Sequence, residues 1–483
     1  MNLFQQEYQP VSASPVVATI VLTCLSWGFG VYIWLAIPAA ETGYRLLPTL
    51  PFAFGSLLLL RSATRDLLFH PAMAVTLGFM ALRYVAMPVI LVGKGLYDPV
   101  GTIVPFDASM DAAYALMLYE MLGIFGVMFL VAPCTRWDHP TGDATIPFDP
   151  FRSPVVLHVV VVLGAAVAIA MPEITSNYRW FASAAGIEQA ESATRSGGIG
   201  YMILLVEWSR ILVCLLAFNT VWTWYRRRPR AIHVYLSAAA FLPLLLFSSR
   251  SSRNSILFPS LAACLLLVRL YPNRRRAIIA VLAAPLAVVI GTISIAKNFG
   301  DHLLEANIRQ EDMLPRVVHA YAAPAHGVAI ALETRNAFAW KLSSIDAFIA
   351  DSTANIPFLG RLIDARHQTT TAIFNITAYG RDLGRDQVIP MLGQGLYHWG
   401  PFAAPIYSIL TALLAFSLAR LAMREHRPEF IFLHTLVMCR MAAGPVLGNW
   451  SISLGILVTT WLPLFTLLTL NRRLASSAAP LPA

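Results

Sequence analysis

Residues 111–132 read DAAYALMLYEMLGIFGVMFLVA, an apolar run broken inside by one carboxylate, Glu120. A helix needs about 20 apolar residues to cross a bilayer core, and this run is that long. Lipid cannot satisfy free backbone N–H and C=O groups, so a spanning segment is a helix or part of a closed barrel. Barrel strands alternate polar and apolar over about 10 residues, and this run does not alternate.

The same pattern recurs along the chain. Hydrophobic residues make up 57% of the 483 and charged residues only 13%, with a mean hydropathy of +0.63. Soluble domains carry roughly 25% charged residues, so the composition is that of a membrane protein. Apolar runs at 15–38, 45–60, 67–92, 111–132, 153–172, 199–224, 232–248, 255–270, 277–296, 402–422, 430–448 and 452–470 predict about twelve spanning helices. The chain divides into a membrane bundle (1–296), a large extramembrane loop (297–401) and a second membrane part with a short tail (402–483). The N-terminus has no basic region or small-residue cleavage site, so the first run reads as a retained helix.

The formal charge of +9 does not point to nucleic acid, because the basic residues lie in short clusters between apolar runs. Arg61 with Arg65, Arg136 with Arg152, Arg226–Arg230, Arg274–Arg276, Arg424 with Arg427, and Arg472 with Arg473 occupy alternate loops. By the positive-inside rule these loops and both termini face the cytoplasm. Trp222, Trp224 and Tyr225 beside one cluster suit an interfacial belt. The five cysteines (Cys24, Cys134, Cys214, Cys264, Cys439) lie in or beside apolar runs without a CxxC, so neither a disulfide nor a zinc site is expected.

One basic cluster breaks the rule. The turn Ser248-Ser249-Arg250-Ser251-Ser252-Arg253-Asn254-Ser255 falls on the outer face, because the clusters at 226–230 and 274–276 bracket its helices inside. Two guanidinium groups, with Ser249, Asn254 and helix-terminal N–H groups, have the chemistry of an anion site for phosphate. Ionisable residues within the spans are a second signal, since each costs at least about 2.5 kcal/mol at the bilayer centre. They are Arg83, Glu120, Glu207, Arg210 and Arg440. Glu207 and Arg210, three apart on one helix, read as an internal pair. Arg83 and Arg440 have no acid nearby in sequence, and either pair with Glu120 across helices or face a polar cavity.

The loop at 297–401 mixes charge, aromatics and short apolar stretches, which marks it as folded. Its histidines, His302, His319, His326, His367 and His398, have no HxxxH or HExxH spacing, so a zinc site is not expected, although one could serve as a base. It ends in MLGQGLYHWGP, residues 391–401, whose glycines predict a tight, close-approach turn into the next helix. No GxxxxGK[ST] loop, strand-bracketed GxGxxG or DxD pair is present, so ATP and nucleotide sugars are not expected as direct substrates.

Arg83 before Tyr84 and Pro88, Glu120 in Leu118-Tyr119-Glu120, the outer Ser-Ser-Arg turn, a large late loop, Gly393 to Gly400 and Arg440 form a plan over most of the chain. It resembles the bacterial oligosaccharide repeat-unit polymerases (O-antigen, Wzy-type). Related sequences often carry an acidic or asparagine residue near the glycines, where this chain has Gln394 and His398. The resemblance implies an all-α, C-type glycosyltransferase-like fold in the bacterial inner membrane, with a periplasmic loop. It implies a metal-independent enzyme without cofactor, which moves a growing glycan from undecaprenyl diphosphate to a lipid-linked repeat unit. Partners would be the lipid-linked oligosaccharide, the bilayer, a chain-length regulator and a flippase. On this reading Arg250 and Arg253 hold the diphosphate, Arg83 and Arg440 support it or shape the cavity, and Glu120 orients or acts as base. Ser249, Asn254, Arg366, His367, Gln394 and Tyr397 are candidate substrate contacts. Other readings are a glycan ligase, a lipid-phosphate-sugar glycosyltransferase, and a twelve-helix secondary transporter, although the two halves share no motif.

Overall fold

A computed structural model describes residues 14–60, 70–97, 103–131, 151, 155–171, 174, 178–179, 199–246, 248–249, 254–299, 325–339, 343–356, 359, 369–379 and 388–477. Apolar composition makes nearly all of it helical. The membrane helices before the loop are α1 (Ser14–Ala36), α2 (Thr49–Leu60), α3 (Pro71–Ala81), α4 (Met87–Lys94), α5 (Asp107–Val131) and α6 (Val155–Ala170), then α7 (Ile199–Arg227), α8 (Ala231–Ala239), α9 (Leu242–Leu246), α10 (Asn254–Leu270) and α11 (Arg275–Phe299). The loop contributes α12 (Ala325–Phe338), α13 (Ser344–Ala354), α14 (Thr370–Tyr379) and α15 (Met391–Trp399). After it come α16 (Ile406–Arg424), α17 (Pro428–Leu447), α18 (Trp450–Ile456) and α19 (Leu462–Ser477). One short antiparallel ladder joins Tyr178–Arg179 (β1) to Ser248–Ser249 (β2).

Among the described residues, eight helices are long and apolar enough to cross a membrane, or nine if one bent pair counts as a span. The expected runs at 153–172 and 232–248 appear as shorter apolar helices, Val155–Ala170 and Ala231–Leu244. Those at 255–270 and 277–296 become the bent pair Asn254–Leu270 and Pro272–Ala287, which turns through 116°. Apolar runs predicted these segments as separate spans; two of them form helices shorter than a bilayer core requires, whereas the other two are set apart by the bend, α11 itself being 25 residues long.

α17 is the axis of the bundle. Nearly all its side chains are buried, and α3, α10 and α16 pack around it. Two helices contain a π-turn, Leu82–Ala86 between α3 and α4 and Leu457–Trp461 between α18 and α19. A π-turn adds a residue to one turn and re-aims the side chains around it, often at a functional site. The first of them carries Arg83 and Tyr84.

The described loop helices dock onto the bundle. α12 packs along the Asp107 end of α5, where Glu333 Oε1 accepts from Phe106 N at 2.8 Å. α15 lies beneath, with every residue from Met391 to His398 buried. The glycine run thus forms a buried helix rather than the expected turn, and only Gly400, with φ of +80°, is in the left-handed region. Close approach is nonetheless the reason for the glycines: a Cβ on Gly393 would meet Ala331, and one on Gly395 would collide with the backbone carbonyl of Ala404.

Candidate functional site

The buried charges of α3–α5 meet on one side of α17. Arg83 Nη1 lies 2.9 Å from Glu120 Oε2, with both side chains fully buried. Glu120 also accepts from Tyr84 Oη at 2.8 Å and from Ser408 Oγ at 2.5 Å. Arg83 Nη1 further donates to the carbonyl of Pro445 at 2.5 Å. α17 ends at Leu447, so this carbonyl is among the last four that have no partner within their own helix, and a cation there also meets the negative end of the helix dipole. Of the two alternatives for Arg83, pairing with Glu120 is realised. Its Nε and Nη2 have no hydrogen-bond partner among the described residues, although both are buried.

A second polar cluster lies where the loop meets the same helices. The buried Asp351, on α13, accepts through Oδ2 from Thr370 Oγ1 (2.5 Å), Gln394 Nε2 (2.7 Å) and His398 Nε2 (3.0 Å), and through Oδ1 from the amide of Thr370 (3.1 Å). If His398 Nε2 carries its proton toward the carboxylate, Nδ1 is the acceptor, and Tyr407 Oη sits 2.7 Å from it. Trp399 Nε1 donates to the same Tyr407 oxygen at 2.8 Å. The Tyr407 ring stacks on Trp450 with centroids 4.8 Å apart. Trp399, at the edge of the cluster, is 46% exposed.

Adjacent residues of α16 join the two clusters. Tyr407 holds His398 and the next residue, Ser408, holds Glu120. The α17–α18 corner joins them again, since Pro445 takes Arg83 while Trp450 N donates to Gln394 Oε1 at 2.7 Å. The two clusters therefore share neighbouring residues of α16 and the α17–α18 corner.

Arg440 makes no hydrogen bond or ion pair among the described residues; its guanidinium lies over the Phe258 ring, 5.4 Å from the centroid. Phe258 is one helical turn after Asn254, the first residue of α10, so the Arg440 guanidinium lies beside that helix about one turn in. Glu207 and Arg210 form the expected i,i+3 pair at 2.9 Å. Arg250, Arg253, Arg366 and His367 lie outside the described residues. The backbone of Ser249 pairs with Tyr178 in the ladder.

Gln394 is fully buried, and its amide also donates to Ser451 Oγ at 3.1 Å, so it orients Asp351 from within the protein. Tyr397 lies in a small apolar cluster with Ala347 and Ile373. Burial, with the charge of Asp351 added, pushes its phenol above the usual range, against the opposing pull of Arg335.

Sequence reasoning did not single out Asp351, Tyr407 or Ser408; it noted His398 among the loop histidines and beside the glycines, but gave it no partner. A signal existed. Ala347, Ala350 and Asp351 share the buried stripe of α13, where an acid is out of place. Gln394 and His398 are four apart on α15 and face the same partner. No family model, curated protein or solved structure matches the chain.

Proposed function

We propose that this chain is a polysaccharide polymerase of the bacterial inner membrane, with both termini cytoplasmic and the loop periplasmic. It transfers a growing glycan from undecaprenyl diphosphate to a lipid-linked repeat unit. What carries the reading is the neighbourhood of two polar clusters. A histidine–aspartate pair from the loop is held by Tyr407, and at the next residue of α16 Ser408 holds the carboxylate that pairs with a buried arginine whose Nε and Nη2 are uncommitted among the described residues.

Glycosyl transfer from a lipid diphosphate has two requirements. The leaving diphosphate gains charge, which fixed cations stabilise, and the attacking hydroxyl must lose a proton to a base. The hydroxyl oxygen of the incoming repeat bonds to the anomeric carbon of the growing chain as the carbon–oxygen bond to diphosphate breaks. The electron pair leaves with the phosphate. The hydroxyl proton passes to Tyr407 Oη while the Tyr407 proton moves to His398 Nδ1, and Asp351 stabilises the imidazolium. Arg440, together with Arg250 and Arg253 of the outer turn, receives the diphosphate, and Arg83 faces it with Nε and Nη2. An anionic substrate with a lipid tail also accounts for guanidinium groups inside an apolar bundle.

The test is the lipid-linked and surface glycan profile of cells lacking the protein, with wild-type, Arg250→Ala and His398→Gln copies reintroduced at matched membrane levels. Single repeats without longer chains, restored by the wild type alone, support the polymerase. Full-length chains that fail only in the final transfer to a lipid core would instead indicate a ligase, and unchanged glycan would refute both.

A further inference from the structure

The sequence has no Asp or Glu between Glu207 and Asp301. In that stretch seven arginines, Arg226, Arg227, Arg228, Arg230, Arg274, Arg275 and Arg276, lie exposed where α7 ends and where α8 and α11 begin. α8 packs against α7, α10 and α11, so these helix ends are neighbours. No carboxylate pairs with Arg227, Arg228, Arg230, Arg274, Arg275 or Arg276 among the described residues. The other arginine-rich corner, by contrast, carries Glu425 and Glu429 beside Arg424 and Arg427.

Beneath the arginines is an aromatic layer. Trp222 stacks on Tyr225 at 5.6 Å, Tyr271 meets Tyr225 edge-on at 4.9 Å, and Tyr271 Oη bonds Ser237 Oγ at 2.8 Å. Beside it Trp224, Ile232, Tyr235 and Ile279 are exposed, the last three on the helices whose first residues follow the arginines.

From this arrangement we infer that the face is a binding surface for anionic phospholipid, the headgroups of the leaflet that surrounds the arginine end of the bundle. Charge complementarity names the occupant's sign, and geometry names its source. The turns that carry the arginines are short, Arg228–Arg230 and Tyr271–Arg274, so the charges stay level with the helix ends. Exposed aromatic and aliphatic side chains continue directly below, where acyl chains would lie. Clustered basic residues beside spanning helices attract anionic headgroups, and amphipathic aromatic rings settle at the same depth. Ala231–Leu244 is too short to span alone, and headgroups drawn toward the arginines would let the bilayer thin around it. The inference does not depend on the proposed polymerase activity.

The test uses the purified full-length chain in neutral detergent, with lipid retained by the folded protein counted by native mass spectrometry. The wild type should retain phosphatidylglycerol over phosphatidylcholine by on the order of tenfold, and the preference should fall as salt rises. R274Q/R275Q/R276Q should lose it, while the three Arg→Lys substitutions keep most of it. If the glutamine variant does not elute as a folded peak, R227Q/R228Q serves in its place. Equal retention of the two lipids, or an undiminished preference in the glutamine variant, would overturn the inference. So would soluble polyphosphate displacing phosphatidylglycerol at equal phosphate concentration, which would assign the face to a cytosolic polyanion.

Discussion

Replacing Arg83 with methionine keeps most of the side chain's volume and removes its charge. The carboxylate of Glu120 then stays fully buried with two neutral donors, Tyr84 Oη and Ser408 Oγ, and the Pro445 carbonyl loses its arginine. Breaking a buried pair by removing one partner costs about 3–5 kcal/mol, because the uncompensated charge remains. Tyr84→Phe removes only one hydrogen bond between helices, worth about 0.6 kcal/mol on average within a bilayer and about 1.7 at most. R83M should therefore destabilise several times more than Y84F. Combining R83M with Glu120→Gln removes the stranded charge, so the double variant should be more stable than R83M alone, with a coupling of about 1.5–3 kcal/mol. Unfolding of the purified protein by titrated sodium dodecyl sulfate, followed by far-ultraviolet circular dichroism, gives the four values of the cycle. An R83M midpoint equal to wild type, or a double variant that simply adds the two single losses, would refute the ion pair as the coupling between the π-turn Leu82–Ala86 and α5.

Asp351→Asn keeps the shape of the loop cluster and deprives His398 of its anionic partner, so on the proposed polymerase reading chain lengthening should fall by about a hundredfold or more at unchanged membrane level. A glycan ladder from matched cells reads this. Gly395→Ala should cost about 1–3 kcal/mol, because its new methyl meets the backbone at Ala404 and nothing soft can give way. Gly78→Ala, with open space around the site, should be neutral or better by up to about 1 kcal/mol; the two unfolding midpoints test the contrast. Arg269 donates to the carbonyls of Ala422, Met423 and Glu425 at the end of α16. Arg269→Leu should expose that end to limited proteolysis, and an unchanged cleavage pattern would remove its capping role.

Hydropathy made the spans legible, because lipid forces length and composition on each one separately. It did not settle the spans of 153–172 and 232–248, where basic loops imply a crossing but the helices are short. Local geometry made the Glu207–Arg210 pair readable, since three residues on a helix bring two side chains together whatever the tertiary fold. Arg83 and Glu120 were recognisable as costly residues, but their pairing depends on tertiary placement of α5 and on a π-turn that leaves no clear mark in composition. The Asp351 cluster depends on more distant placement still: its members come from α13, α14, α15 and α16, and each looks ordinary in its own segment.

The arginines of the bundle form a graded series in what they hold. Arg269 bonds three backbone carbonyls at the end of a neighbouring helix, which is architecture. Arg83 bonds one carbonyl and one carboxylate and keeps two N–H groups without partners, so it supports the bundle and still has donors to give. Arg440 bonds nothing among the described residues and rests on an aromatic face. Its side chain is half-buried, and the Glu207 carboxylate acts on it only through space, without the direct contact that Glu120 gives Arg83. On the proposed reading, an anionic ligand that enters beside Asn254, one helical turn from Phe258 at the start of α10, would supply the hydrogen-bond acceptor that Arg440 lacks among the described residues.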